Sequence, residues 1–320
     1  MAATQLTGCT MKQTQFAARR LAIFLSSLTL FGAAGCSIHA NESGDGKSIH
    51  ISVFGHANHV SHGHNRTKGS GVQREESRQV ANFSTLQLLL PAEVTVTQGS
   101  TEWFSISADD NLLALVNARV ENGTLIIDCD KNKGFSTRNA IKIRLGVKAL
   151  EGVTIKGSGD VLADDLQAQK FDAAIFGSGD VKIKTLRAAI SKIEINGSGD
   201  VAIDRMEAKS IDVAIHGSGD IKLPSVEAAS VAIAVDGSGD VAIAGSADRI
   251  EIDIAGSGDV RARYLIAREA NVRIAASGDA EVHAQEKLTA RVAGSGEIRY
   301  AGAPTNIDRK VRGSGSIEAM

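Results

Sequence analysis

The sequence predicts an all-β chain wound as a right-handed parallel β-helix of about 20 residues per coil, its N-terminal end capped by antiparallel strands. A repeat, an alternation and a composition point to this fold. Gly-Ser-Gly-Asp begins at Gly157, Gly177, Gly197, Gly217, Gly237 and Gly256, with variants at Ala276, Gly294 and Gly313; the intervals are 20, 20, 20, 20, 19, 20, 18 and 19 residues. A fixed period of this length marks stacked units, each burying its apolar face on the next. Between the turns, apolar residues alternate with polar or small ones, the period of a strand. With 33 glycines and only 4% aromatic residues in 320, the chain suits thin coils packed by small aliphatics.

The chain opens with Arg19 and Arg20 before the apolar run "LAIFLSSLTLFGAAGC". That run is short for a membrane-spanning helix and reads as an export signal. Met11 offers a second start. The ending "AAGC" resembles a bacterial lipobox, which implies lipidation of Cys36 and a signal over residues 1–36. Ordinary signal-peptidase cleavage is the other reading. Ser37 after Cys36 is compatible with sorting to the outer membrane, by analogy with enteric lipoproteins. Of Cys9, Cys36 and Cys129, only Cys129 then remains as a thiol, so no disulfide framework is expected.

Residues 37–79 are rich in Gly, Ser, Asn and His and read as a flexible tether. His56, His59, His62 and His64 lie in "HANHVSHGH". Neutral imidazoles at such spacing are ligands for a divalent metal such as zinc, copper or nickel; a polar spacer is the alternative. The folded region is placed at 80–320, with 80–150 as N-terminal strands and 151–320 as repeat coils. "AEVTVTQG" and "AIKIRLGV" alternate as strands, and Asn122-Gly123 predicts a hairpin turn. "DDNLLALV" reads as a strand or loop, with a helical turn as the lesser option.

In the repeats, Val161, Val181, Val201, Ile221, Val241 and Val260 follow the turns, and Ile175, Ile195, Ile215, Val235, Ile254 and Ile274 precede them. Each set is expected to file into one internal column. Leu166, Leu186, Met206, Val226 and Leu265 form another, and Ala168, Ala188, Ala208 and Ala228 mark a tight bend. Nine coils at about 4.8 Å give a rod on the order of 40 Å. A left-handed β-helix repeats in sixes, and parallel crossovers prefer the right hand. The turn glycines permit close backbone approach or positive φ. Asp160, Asp180, Asp200, Asp220, Asp240 and Asp259 must then stack, and like charges near 5 Å repel by about 1 kcal/mol even in water. Turn amides, lysines such as Lys182 and Lys222, or a cation must offset this. A phosphate-cradling glycine loop opens a helix; here a strand follows every turn.

The segments "RQVANFSTLQLLLPAEVTVTQG" and "VENGTLIID", the GSGDV repeats and the ending "GSGEIRYAGAP…VRGSGSIEAM" resemble the bacterial auto-transporter adhesin head GIN domain family. The resemblance runs from about Arg78 to the C-terminus. It implies a right-handed, pectin-lyase-like β-helix without recognisable catalytic residues, and a role in adhesion. The leading expectation is a non-enzymatic envelope lipoprotein, anchored in the outer membrane, that adheres or scaffolds through an unidentified protein or glycan partner. The alternatives are a polysaccharide-active enzyme and an envelope metal-binding protein acting through the histidines. No catalytic residue and no firm cofactor are assigned. The enzyme reading lacks a constellation: His216 and His283 lie more than three coils apart, and "RARYL", Arg261 to Leu265, is the densest irregular polar patch. A formal charge of -2 gives no footprint for nucleic acid.

Overall fold

The computed structural model describes the backbone of residues 36–42 and 49–55 and all of residues 66–129 and 134–320. The export signal and His56, His59, His62 and His64 lie outside the described residues. In the first unit, Met1–Gly63, strands Cys36–Glu42 and Ile49–Gly55 pair antiparallel, with Cys36 opposite Gly55. The segment read as a tether therefore contains a hairpin.

The second unit, His64–Met320, is a parallel β-solenoid. Its repeat strands run from Asp160–Ile175 to Ala280–Val292 and pair in parallel with their neighbours one coil away. The register matches the repeat: Ile175 pairs with Ile195 and Ile195 with Ile215, and all three are fully buried. Burying each such side chain contributes about 1.5–3 kcal/mol, and the columns replicate that gain at every coil. Strand alternation breaks where two consecutive residues are exposed, at Asp164-Asp165 and Gln169-Lys170. With the Gly-Ser-Gly-Asp turn, these breaks divide the coil into three straight segments. Leu166, Leu186, Met206, Val226 and Leu265 line the second segment and are buried.

The N-terminal section has the expected antiparallel strands at its outer edge and contributes a parallel coil besides. Thr85–Leu88 and Ala92–Gln98 form a coil of the solenoid, stacked in parallel beneath Gly152–Ile155 and the start of Asp160–Ile175. On its other side it meets Thr124–Cys129 and Ile141–Val147, also in parallel. A coil early in the chain is thus inserted between two later ones. Leu89-Leu90-Pro91 occupies the place of the glycine turn, and a Cβ on Gly159 would meet the Leu90 and Ala92 carbonyls at 2.5 and 2.7 Å. Antiparallel pairing is confined to the outer edge. There Val116–Glu121 and Thr124–Cys129 form the Asn122-Gly123 hairpin, and Trp103–Asp109 lies between Ile141–Val147 and Gln73–Arg78. Asn122 and Gly123 both have positive φ, at 50° and 76°, as a two-residue hairpin turn requires.

Two expectations are corrected here. "DDNLLALV" contains one helical turn, Asp110–Leu113, because the Arg78 guanidinium donates to the Leu113 and Val116 carbonyls and satisfies backbone groups a strand would have paired. The folded unit also starts before residue 80. Strand Gln73–Arg78 has the fully polar sequence QREESR because it is an edge strand with both faces in water, so it lacks the apolar period of a core strand. Asp109, nearly buried, accepts from Thr137 Oγ1 and Asn139 Nδ2, each at 2.7 Å, and ties this edge together. Those donors hold its carboxyl below the ordinary range.

Candidate functional site

Each Gly-Ser-Gly-Asp turn lies directly on the one before. The Ser198 N–H donates to the Gly177 carbonyl at 2.9 Å, and the same bond recurs along the column. A Cβ on Gly197 would sit 2.0 Å from the Gly177 oxygen, and one on Gly199 would sit 2.0 Å from the Gly179 oxygen. Gly157, Gly177, Gly197, Gly217, Gly237 and Gly256 all have φ outside the left-handed region. Close approach, not positive φ, is what demands glycine.

The aspartates form a ladder in which each backbone N–H donates to Oδ1 of the aspartate one coil earlier. The distances are 2.9 Å for Asp180 to Asp160, 3.0 Å for Asp200 to Asp180 and 2.8 Å for Asp220 to Asp200. Asp240 to Asp220 and Asp259 to Asp240 are both 3.0 Å. Asp279 and Glu297 continue the series at 3.1 and 2.7 Å. Charge-assisted bonds of this kind are among the stronger ones, and they offset the repulsion between stacked carboxylates. Lys182 Nζ meets Asp180 Oδ2 at 3.0 Å, and Arg261 lies 3.0 and 3.4 Å from Asp240 and Asp259 Oδ2. Burial pushes the Asp180 carboxyl up, but the Asp200 N–H and the Lys182 ammonium outweigh it and leave it below the ordinary range. Among the described residues, no group of three or more His, Cys, Asp or Glu side chains is placed to hold a metal. His216 Nδ1 lies 3.1 Å from Asp236 Oδ2 on the exposed side of the turns.

The aspartate ladder runs on unbroken, but the strand register slips between three successive pairs of coils, first between Leu223 and Val226 and then on both sides of the coil opened by Gly256. Its strand slips against the coil below between Ala242 and Ala244, and against the coil above between Ala262 and Ile266. Ile266 pairs with His283, the residue after Val282, so Arg263, Tyr264 and Leu265 have no partner above. Leu265 turns into the core, whereas Tyr264 is 69% exposed and Ile266 44%. The Arg263 guanidinium stacks on the Tyr264 ring, 5.1 Å from its centroid. Below this ridge Gly245 has φ +126°, and a Cβ there would lie 2.0 Å from the Val226 oxygen. Beside the ridge runs an open trough of about 610 Å³, floored by Ala228 and Ala247, walled by Glu227, Asp248 and Arg268, and bounded by Ile266.

The structure thus gathers the predicted glycines and aspartates into one column and places Cys36 in the backbone of the first hairpin. The trough was missed from the sequence. The ridge is the "RARYL" patch, and its signal was the 19- and 18-residue intervals on either side of a 20-residue coil.

The family described as "Putative auto-transporter adhesin, head GIN domain" matches residues 82–189 and 187–304. The chain belongs to this family. The two head GIN matches meet at Arg187–Ala189, within the strand Val181–Ile195, which is paired on both sides. They therefore divide one continuous solenoid. A "putative lipid binding protein" from Parabacteroides distasonis is 27% identical, with a TM-score of 0.60 over 80% of this chain and 99% of its own. A "putative adhesin" from Parabacteroides merdae, 21% identical with a TM-score of 0.66 over 80% and 99% of the two chains, shares the fold. No curated protein matches the chain.

Proposed function

We propose that this head GIN chain is a non-enzymatic lipoprotein of the cell envelope, held through a lipid on Cys36, whose solenoid serves adhesion or scaffolding. The observation that carries this reading is where the repeat's polar groups are engaged. The ladder carboxylates accept backbone amides and pair with Lys182 or Arg261, which stiffens a rod. Exposed aromatic and apolar side chains then come together with arginine at the Arg263–Ile266 ridge, the composition that dominates binding energy in interfaces. The adhesin description of the family agrees with this reading. Metabolic labelling with palmitate, comparing the native chain with Cys36→Ala, tests the anchor. Attachment of cells with and without the protein to host-matrix and glycan surfaces tests the role. Label on Cys36 and protein-dependent attachment are expected; an unlabelled chain, or attachment indifferent to the protein, would count against it.

A further inference from the structure

We propose that the ridge Arg263–Tyr264 and the trough beside it form a saccharide-binding site whose first ring carries a carboxylate; the proposal rests on the adhesive reading above and names its ligand. Arg249, Arg261, Arg268, Arg273, Arg291 and Arg299 are each in ion-pair contact with a carboxylate. Among the described residues, none pairs with Arg263. Its guanidinium is instead set on the exposed ring of Tyr264, 5.1 Å from the centroid, and Arg263 is itself exposed to solvent. A planar guanidinium binds carboxylate through two parallel hydrogen bonds. An exposed tyrosine beside it offers a flat apolar surface with a polar tip, which suits the C–H face of a pyranose ring.

The trough decides between a sugar and an acidic peptide. Its floor is built from small side chains, among them Ala228 and Ala247. Glu207, Glu227 and Asp248 on its walls accept hydrogen bonds from hydroxyls and, outnumbering Lys209 and Arg268 there, disfavour a run of carboxylates. Arg268, which already bridges Asp248 and Glu286, adds donors. Coils rise by about 4.8 Å, close to the advance of one pyranose unit, so successive rings meet successive coils. At about 610 Å³ the trough falls within the size range of ligand sites. The fitting occupant has its charge at the ridge and neutral sugars beyond.

Calorimetry on the full chain tests this with a panel of trisaccharides ending in a uronic or sialic acid. The same sugars with the carboxyl reduced to an alcohol, an oligoglutamate peptide and anionic phospholipid vesicles serve as competitors. We expect at least one acidic trisaccharide to bind. Reduction of its carboxyl, Arg263→Gln and Tyr264→Ala should each weaken binding by about tenfold or more, whereas Lys184→Gln on another face should leave it unchanged. Thermal unfolding verifies that each variant is folded. No binding by any acidic trisaccharide, equal binding of the reduced forms, variants within about twofold of native, or displacement by peptide or vesicles would each overturn the proposal. Attachment that survives Arg263→Gln and Tyr264→Ala refutes the sugar site but keeps the adhesive role. Sugar binding without protein-dependent attachment does the reverse.

Discussion

Gly199 faces the Gly179 carbonyl so closely that a methyl group would have to push two coils apart. Gly199→Ala should therefore cost about 3 kcal/mol, the upper range for overpacking, whereas Ser198→Ala, one residue away and exposed, should stay within about 0.5 kcal/mol. Denaturant titration compares the two. Ser191 poses the opposite case. It is fully buried in register with Phe171, and its hydroxyl has no hydrogen-bond partner. Ser191→Ala removes an unsatisfied polar group and should raise stability by about 1 kcal/mol in the same titration. Asp180 carries a pH signature. Its folded carboxyl titrates below its ordinary value, so its stabilisation is complete above the unfolded value near 3.9. It is lost as pH falls through the lower folded value. The difference in unfolding midpoint between the native chain and Asp180→Asn should be present at neutral pH and shrink in acid. A difference that grows in acid would refute the ladder's electrostatics.

At the scale of elements, the two ends of the solenoid must avoid pairing with other chains. In the last coil the exposed Arg309 stands in register with the internal column that runs through Val213, Ile233, Ile252, Val272 and Ala290. It lies over Tyr300 at 6.0 Å. Arg309→Val would add an apolar residue to this column, and sedimentation should then detect more self-association than in the native chain. The repeat coils were legible in the sequence because each position recurs in its successor: Ile195 could be placed from Ile175 and Ile215. The inserted coil was not legible. Leu89-Leu90-Pro91 replaces the glycine turn there, and no local signal says that Thr85–Leu88 packs between strands that follow it in sequence. Strand Gln73–Arg78 was hidden because an edge strand wet on both faces carries no apolar alternation. The trough was hidden for another reason: its alanines belong to separate coils and become a surface only when stacked.

Over the whole solenoid, stability is the sum of coil-to-coil interfaces, carried by long-range parallel pairing. The ridge interrupts the strand register, whereas the aspartate ladder runs past it through seven successive bonds. The distance between spin labels on Lys182→Cys and Arg299→Cys, with native cysteines replaced, probes the stacking most directly. Six strand steps separate these positions, through Ala202, Lys222, Ala242, Arg261 and Glu281. Coils stacked in register place the two backbones about 29 Å apart, and deleting residues 201–220 should shorten this by about 5 Å. A broad distribution, or a distance indifferent to the loss of a coil, would contradict the in-register solenoid.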